Sequence, residues 1–237
     1  MDPAALVATD SYLCALYEVA YSSISSVLHE TDASNFQHIV EVGSGIGLSR
    51  TLRPEWIRSD VEAASGIALI TDAEKLPFRP ESVDALVMKD TWHHIADIEQ
   101  FLRGAHGCLR PGGSIVVFDP YWGPLARFVY RFLHHERWDT RTRTWTFASD
   151  CPTDSNQALS FLMLRRDRSD FNRHWGDKFI ITEHGRHIGP SFLLSGGVYR
   201  RTPISGKFLA HMLRWEESRG RWFDIFRFFH TFSMVKR

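Results

Sequence analysis

Between Leu6 and Leu28 the apolar residues Leu6, Leu13, Leu16, Tyr17, Ala20, Tyr21, Ile24, Val27 and Leu28 fall largely at helical spacing, uninterrupted by Pro or Gly. This pattern predicts an amphipathic helix or a pair of helices. The period then changes. His38 to Val42 reads as a short buried strand running straight into Gly43-Ser44-Gly45-Ile46-Gly47. Trp56 to Ser59 and Ile67 to Thr71 are further short strands, and Val83 to Lys89 is a longer one. Ile95 to Leu109 returns to helical spacing. Pro111-Gly112-Gly113 marks a turn, and Ser114 to Phe118 is a fully apolar strand ending in Asp119-Pro120. Strands that alternate with helices predict a parallel, doubly wound α/β sheet.

After Pro120 the pattern is less regular. Leu125, Phe128, Val129, Phe132 and Leu133 make one helical stripe, and an Arg- and Trp-rich stretch follows to Phe147. Asp154 reads as the cap of a helix through Leu159, Phe161, Leu162 and Leu164 into Arg165-Arg166, with acid at its start and base at its end. Phe179 to Thr182 and Phe228 to Val235 are strands, the second long enough to close the sheet. Ser195-Gly196-Gly197 breaks an apolar segment that begins at Phe192, and Phe208 to Trp215 is helical. No internal repeat is present.

The chain has 237 residues, 43% of them hydrophobic and 24% charged, which predicts one large globular domain rather than two equal ones. Its net charge of zero is a cancellation. Through Pro120 there are 8 basic and 17 acidic side chains; after it there are 20 and 11. The second part also holds 22 of the 31 Phe, Trp and Tyr residues. Basic and aromatic residues together suit a phosphorylated substrate, nucleic acid or an anionic membrane surface; the plainer reading is a solvated Arg face beside an aromatic core. Three widely spaced cysteines, Cys14, Cys108 and Cys151, fit neither a disulfide framework nor a zinc site, so a reducing cytoplasm is expected. Met1 to Asp10 lacks the apolar run of a signal peptide, and no stretch reaches the roughly 18 apolar residues of a membrane span.

The glycine turn is the main chemical signal. Its spacing is Gly-x-Gly-x-Gly, with Leu48 where the dinucleotide fingerprint requires glycine, which disfavours a nicotinamide cofactor. Glycines allow close approach of backbone to a ligand. Glu41 at the end of the first strand is an acceptor suited to a cationic group. Asp60 follows the second strand, where an acidic residue grips ribose in nucleotide-binding α/β folds. Asp72, after the third, adds a carboxylate beside the apolar Leu76-Pro77-Phe78.

Five passages in order carry a family resemblance: Val40-Glu41-Val42-Gly43-Ser44-Gly45-Ile46-Gly47, Asp72-Ala73-Glu74-Lys75-Leu76-Pro77-Phe78, Ser82 to Val87, His93-His94, and Leu109-Arg110-Pro111-Gly112-Gly113. Over residues 39 to 119 the chain resembles the class I S-adenosylmethionine-dependent methyltransferases with a small-molecule type of core. The resemblance implies a doubly wound, mostly parallel seven-stranded sheet with a terminal antiparallel hairpin, and S-adenosylmethionine lying across the strand ends. Glu41, Gly43, Ser44, Gly45 and Gly47 would flank the methionine moiety, Asp60 the ribose, Asp72 and Ala73 the adenine, and Lys89 and Asp90 the edge near the sulfonium. The spacing departs from the pattern in two places: eight residues between Gly47 and Trp56 leave a short first helix, and eleven between Asp60 and Asp72 leave little room for a second. Beyond Asp119, Tyr121 to Leu125, Tyr130 to His134 and Asn156-Gln157-Ala158 are more loosely similar to methyltransferases of bacterial polysaccharide biosynthesis.

The expected organisation is a single methyltransferase domain: a helical cap over 1–35, a cofactor-binding core over 36–120, a helical substrate lid over 121–215 and a closing strand over 216–237. His93 and His94 are candidate general bases for an acceptor hydroxyl; the alternative is a pair that caps a helix and packs. Adjacent helical residues diverge, so His134-His135-Glu136 is read as chance and no metal is expected. Arg141, Arg143, Arg165, Arg166 and Arg168 suit a phosphate or uronate, or are exposed helix-end and loop charges. The expected reaction is in-line methylation of a hydroxyl on a sugar or anionic small molecule, free or lipid-linked, by a protein that contacts membranes only peripherally. An RNA methyltransferase and a noncatalytic protein of the same fold are the competing readings, and the oligomeric state is not legible.

Overall fold

The computed structural model describes residues 9–30, 36–45, 47–151, 153–197 and 202–237. Seven strands, β1 (Ile39–Val42), β2 (Ile57–Asp60), β3 (Leu69–Ile70), β4 (Val83–Lys89), β5 (Leu109–Pro120), β6 (Phe179–His187) and β7 (Phe229–Lys236), form one sheet in the order β3-β2-β1-β4-β5-β7-β6. The first five are parallel. The last is inserted antiparallel between β5 and β6, so it closes the sheet from inside rather than at an edge.

The central strands β1, β4, β5 and β7 bury both faces, as strands covered by helices on both sides do, and a period of two divides their side chains between two cores. Leu86 and Met88 of β4 and Ile115 and Val117 of β5 face one core, shared with Ile98, Phe101, Leu102 and Ala105 of helix α3 (Ile98–Cys108). Ala85, Val87, Val116 and Phe118 face the other, where they meet Leu16, Ala20 and Ile24 of helix α1 (Ser11–Glu30) and Leu209 and Leu213 of helix α8 (Gly206–Glu217). Trp92 is fully buried edge-on between Phe101 and Phe232, at 5.7 and 5.5 Å. It fixes the chain just past β4.

Helix ends follow their local chemistry. The Asp10 carboxylate accepts from the N–H groups of Tyr12 and Leu13 and starts α1, while Asp97 accepts from Gln100 N–H and starts α3, each satisfying orphan donors of a first turn. The start of the predicted helix at Leu6 lies outside the described residues. The short spacings take effect as expected: helix α2 is only Ser49–Leu52, and no helix lies among the described residues between β2 and β3. At Pro111–Gly113 the turn sits within β5 as an irregularity. The register with β4 jumps from Val83↔Leu109 to Ala85↔Ser114, and Gly112 takes φ +76°.

The region beyond Pro120 departs further from its sequence pattern. Helix α4 (Pro124–Phe132) forms as predicted and buries Ala126, Val129 and Tyr130. Asp154 caps no helix. Its carboxylate instead closes a turn, accepting from Asp150 and Cys151 N–H at 2.8 and 3.0 Å. Helix begins only at α5 (Leu159–Phe161), passes through a π-helical turn over Leu162–Arg166, and resumes as α6 (Arg168–Trp175). Helix α7 (Pro190–Ser195) ends at Gly196 with φ +72°. It is tied to α8 by Glu216, fully buried, which accepts from Gly189 N–H, Ser191 N–H and the Ser191 hydroxyl. Among the described residues, the part of 121–215 that lines the cleft at the strand ends is the irregular stretch 149–151 rather than a helix.

Candidate active site

The carboxyl ends of β1 to β4 open onto a cleft of about 450 Å³, where ligands bind in open α/β sheets. It is lined by Val42 and Gly43 after β1, Asp60 and Val61 after β2, Thr71 to Glu74 after β3, Asp90, Thr91 and His94 to Ala96 after β4, and Ser149 to Cys151 across from them. Five of these residues are carboxylates, Asp60, Asp72, Glu74, Asp90 and Asp150, and none is Lys or Arg. Such a wall attracts a cation and repels an anion.

Gly43 is dictated by space. It sits at φ +72°, and a Cβ there would stand 2.3 Å from Thr91 Cγ2. The Thr91 hydroxyl donates to the Gly43 carbonyl, holding the turn after β1 against the turn after β4. Asp60 braces the same turn from the other side, accepting from Gly45 N–H at 2.6 Å and from Glu62 N–H at 3.1 Å. Asp72 accepts from Glu74 N–H, which presents Ala73 and Glu74 to the cleft.

Asp90 is the most constrained of the acids. It adopts φ +54°, a conformation that costs a non-glycine residue about 1 kcal/mol or more. Its N–H is tied to the Phe118 carbonyl and its carboxylate pairs with Lys89. Burial pulls the Lys89 ammonium down, but Asp90 beside it outweighs burial and raises it, and the Tyr17 ring lies 4.3 Å beneath. Lys89 therefore stays charged and holds Asp90 in place. The other Asp90 oxygen, Oδ1, is buried without a hydrogen-bond partner. A buried orphan acceptor on an acidic cleft wall fits a ligand that brings a donor or a positive charge.

The structure therefore brings Gly43, Asp60, Asp72, Ala73, Asp90 and His94 together, and places the other predicted residues behind them. Glu41 is buried, accepting from Tyr21 at 2.6 Å and from Ser49. It pins α1 and α2 to β1 instead of lining the cleft. Ser44 donates through its N–H to Ser59 and through its hydroxyl to Glu41 O; Gly45 and Gly47 shape the turn without lining the cleft. Lys89 acts through Asp90. His93 is buried, with Nδ1 2.8 Å from Asp119 Oδ1 and Nε2 3.4 Å from Glu136 Oε2. Burial opposes its charge, but the two carboxylates prevail and push it up to about 10. His94 does line the cleft, with Nδ1 3.0 Å from the Asp154 carbonyl. Thr71, Glu74, Thr91 and Ser149 to Cys151 were not read from the sequence. Thr91 was adjacent to a named residue; the 149–151 wall carried no local signal.

Comparison with known proteins accords with this geometry. Residues 40–117 match the family model of the methyltransferase domain. This stretch of the chain is a methyltransferase domain. A comparison with curated proteins finds no match. Among solved structures, the chain is similar to the YcgJ protein from Bacillus subtilis, at 13% identity over 92% of this chain and 99% of that one, with a TM-score of 0.53. It is also similar to the MccD protein, at 14% identity over 91% and 96% of the chains, TM-score 0.51. A protein of Anabaena variabilis described as a methyltransferase from an antibiotic biosynthesis pathway matches at 14% identity over 91% and 97%, TM-score 0.50. At these identities the likeness is one of fold. The acidic cleft, the orphaned Asp90 oxygen and the glycine turn fit S-adenosylmethionine, which is cationic at its sulfonium and at its amino group. Among the described residues no helix is long and apolar enough to cross a membrane.

Proposed function

We propose that S-adenosylmethionine lies along this cleft and that the acceptor is a hydroxyl on a sugar or related anionic small molecule. The cofactor supplies an activated methyl group. Gly43 and Asp90 hold its methionine end, Asp60 the ribose, and Asp72 and Ala73 the adenine, while Lys89 holds Asp90 in position. The observation that carries the cofactor placement is the cleft wall of five carboxylates with no Lys or Arg among the described residues. His94 is the predicted catalytic residue that faces the acceptor; the His93 ring, anchored at Nδ1 by Asp119, packs against it at 4.3 Å. Methyl transfer then depends on alignment and exclusion of water, which the wall at Ser149 to Cys151 assists.

The acceptor reading rests on the basic second half. Arg166 and Arg168 are committed to structure, Arg166 to Asp167 and the Thr140 carbonyl, Arg168 to the Ile181 carbonyl. Arg141, Arg143 and Arg165 are exposed and show no side-chain hydrogen bond or ion pair among the described residues, leaving them available to an anionic acceptor. The test is incorporation of labelled methyl into a panel of glycans, lipids, RNA and small acids. Incorporation into saccharide or small-acid acceptors supports the reading, and incorporation into RNA alone would overturn it.

A further inference from the structure

We infer that His93, His94 and Glu136 form a binding site for a divalent transition-metal ion at the inner wall of the cleft. Each residue offers one ligand atom, and the three atoms lie within 4.8 Å of one another. His93 Nε2 and Glu136 Oε2, at 3.4 Å, already stand near the separation of about 3.0 to 3.4 Å that metal bonds of about 2.1 Å impose on neighbouring ligands. The sequence pairs Glu136 with His134 and His135; the fold instead brings it to the two histidines after β4.

The surroundings match what metal-ligating histidines require. A ligating imidazole engages its second nitrogen with a carboxylate or backbone carbonyl, which fixes tautomer and ring direction. Here Nδ1 of His93 meets Asp119 Oδ1 at 2.8 Å, and Nδ1 of His94 meets the Asp154 carbonyl at 3.0 Å. That leaves Nε2 of each ring for a metal. Asp119 is itself held by the Ser160 hydroxyl at 3.2 Å, and Glu136 by Ser155 and Gln157. A second observation points to a ligand: the amide of Gln157, which touches Glu136 and is 4% exposed, has its Oε1 buried without a partner. A metal-bound water would satisfy it.

Two imidazoles and one carboxylate suit a borderline first-row ion such as Zn²⁺, Mn²⁺, Fe²⁺ or Co²⁺ better than Mg²⁺ or Ca²⁺, which prefer all-oxygen shells. Three protein ligands leave coordination positions for other donors, as in sites that bind a substrate. His94 lines the cleft, so those positions face it. This part of the inference rests on the methyltransferase reading: the ion would take oxygen atoms of the acceptor and so select oxygen-rich acceptors able to chelate.

The test uses the full chain, stripped of metal by chelator and titrated with Co²⁺, followed by calorimetry and by the visible absorption of coordinated Co²⁺. One equivalent is expected to bind, and His94→Asn and Glu136→Gln are each expected to weaken it at least about tenfold. Asp119→Asn, which touches no metal, is expected to weaken it by about 10- to 100-fold, whereas His174→Asn on exposed helix α6 leaves it unchanged. Circular dichroism confirms that each variant is folded; should Asp119→Asn unfold, His94→Asn carries the decision, since His94 is only partly buried. No binding near millimolar Co²⁺, or binding that survives both His94→Asn and Glu136→Gln, overturns the proposal. S-adenosylmethionine is titrated separately into the stripped chain. Cofactor binding without Co²⁺ binding overturns the metal site alone, and Co²⁺ binding without cofactor binding overturns the cofactor placement alone.

Discussion

The two parts of the chain on either side of Pro120 are built to different rules. In the first, each strand delivers its functional residue at its own carboxyl end: Gly43 after β1, Asp60 after β2, Asp72 after β3 and Asp90 after β4. Neighbouring strands in sequence or in space set the geometry, and a few residues of text hold each piece. In the second, contacts span long distances. Glu136 reaches His93, the Asp154 carbonyl meets His94, and Glu216 ties down the start of the helix before its own. The comparison teaches that a cleft at strand ends can be specified by local motifs, while the wall across from it is specified by tertiary contacts.

The largest expected effect tests the first part where it has no slack. Gly43→Val puts a β-branched side chain at φ +72° and into Thr91, a backbone and steric penalty of more than about 2 kcal/mol. Calorimetry should show S-adenosylmethionine affinity falling by at least about 30-fold, or the chain failing to fold. Retained affinity would mean the turn is not the rigid element described. Next is Asp90→Asn, which strips the buried Lys89 of its counterion. Asp90 is partly exposed, so the loss of stability should be about 2 kcal/mol, below the range for a fully buried pair, and chemical denaturation reads it.

Smaller effects separate the two parts. Asp72→Asn should weaken cofactor binding about tenfold, equivalent to about 1.4 kcal/mol for one charge-assisted contact, with little change in melting temperature. Replacing Arg141, Arg143 and Arg165 together by Ala should raise KM for an anionic acceptor several-fold and leave the cofactor Kd unchanged. A change in cofactor Kd would show that the second part also serves the cofactor. The smallest effect concerns cohesion of the second part. Burial opposes the Glu217 charge, but His187, Ile188 N–H and Arg227 outweigh it and lower its titration below the ordinary carboxylate range. A depressed carboxylate contributes stability above its unfolded value of about 4.3 that disappears as pH falls through the folded value. Glu217→Gln should therefore cost about 1 kcal/mol at neutral pH, and the difference from the native chain should shrink below about pH 4.

The same division explains what the sequence made legible. Periodicity located β4 to the residue and predicted helices α3, α4 and α8, because alternating and helical stripes reflect burial that the sheet enforces. Short spacings anticipated the four-residue α2. Six of the predicted site residues line the cleft, since strand ends are fixed once strands are known. Glu41 was misplaced because a carboxylate beside a glycine turn gives no hint that Tyr21 and Ser49 would face it. Asp154 was misread because an acid before an apolar stripe looks alike whether it caps a helix or closes a turn. The pairing of Glu136 with His93, across 43 positions of sequence, has no local signature at all.

The charge asymmetry of the chain now has a location. Four of the five carboxylates on the cleft wall belong to the first part, and the Arg side chains available in the second lie on the region predicted to meet the acceptor. The most direct test of this account is a calorimetric titration of the folded chain with S-adenosylmethionine, alongside the Asp90→Asn and Asp72→Asn variants. The account predicts one site per chain, weakened by both substitutions. No binding at millimolar cofactor by a chain shown to be folded, or binding indifferent to both substitutions, would contradict it.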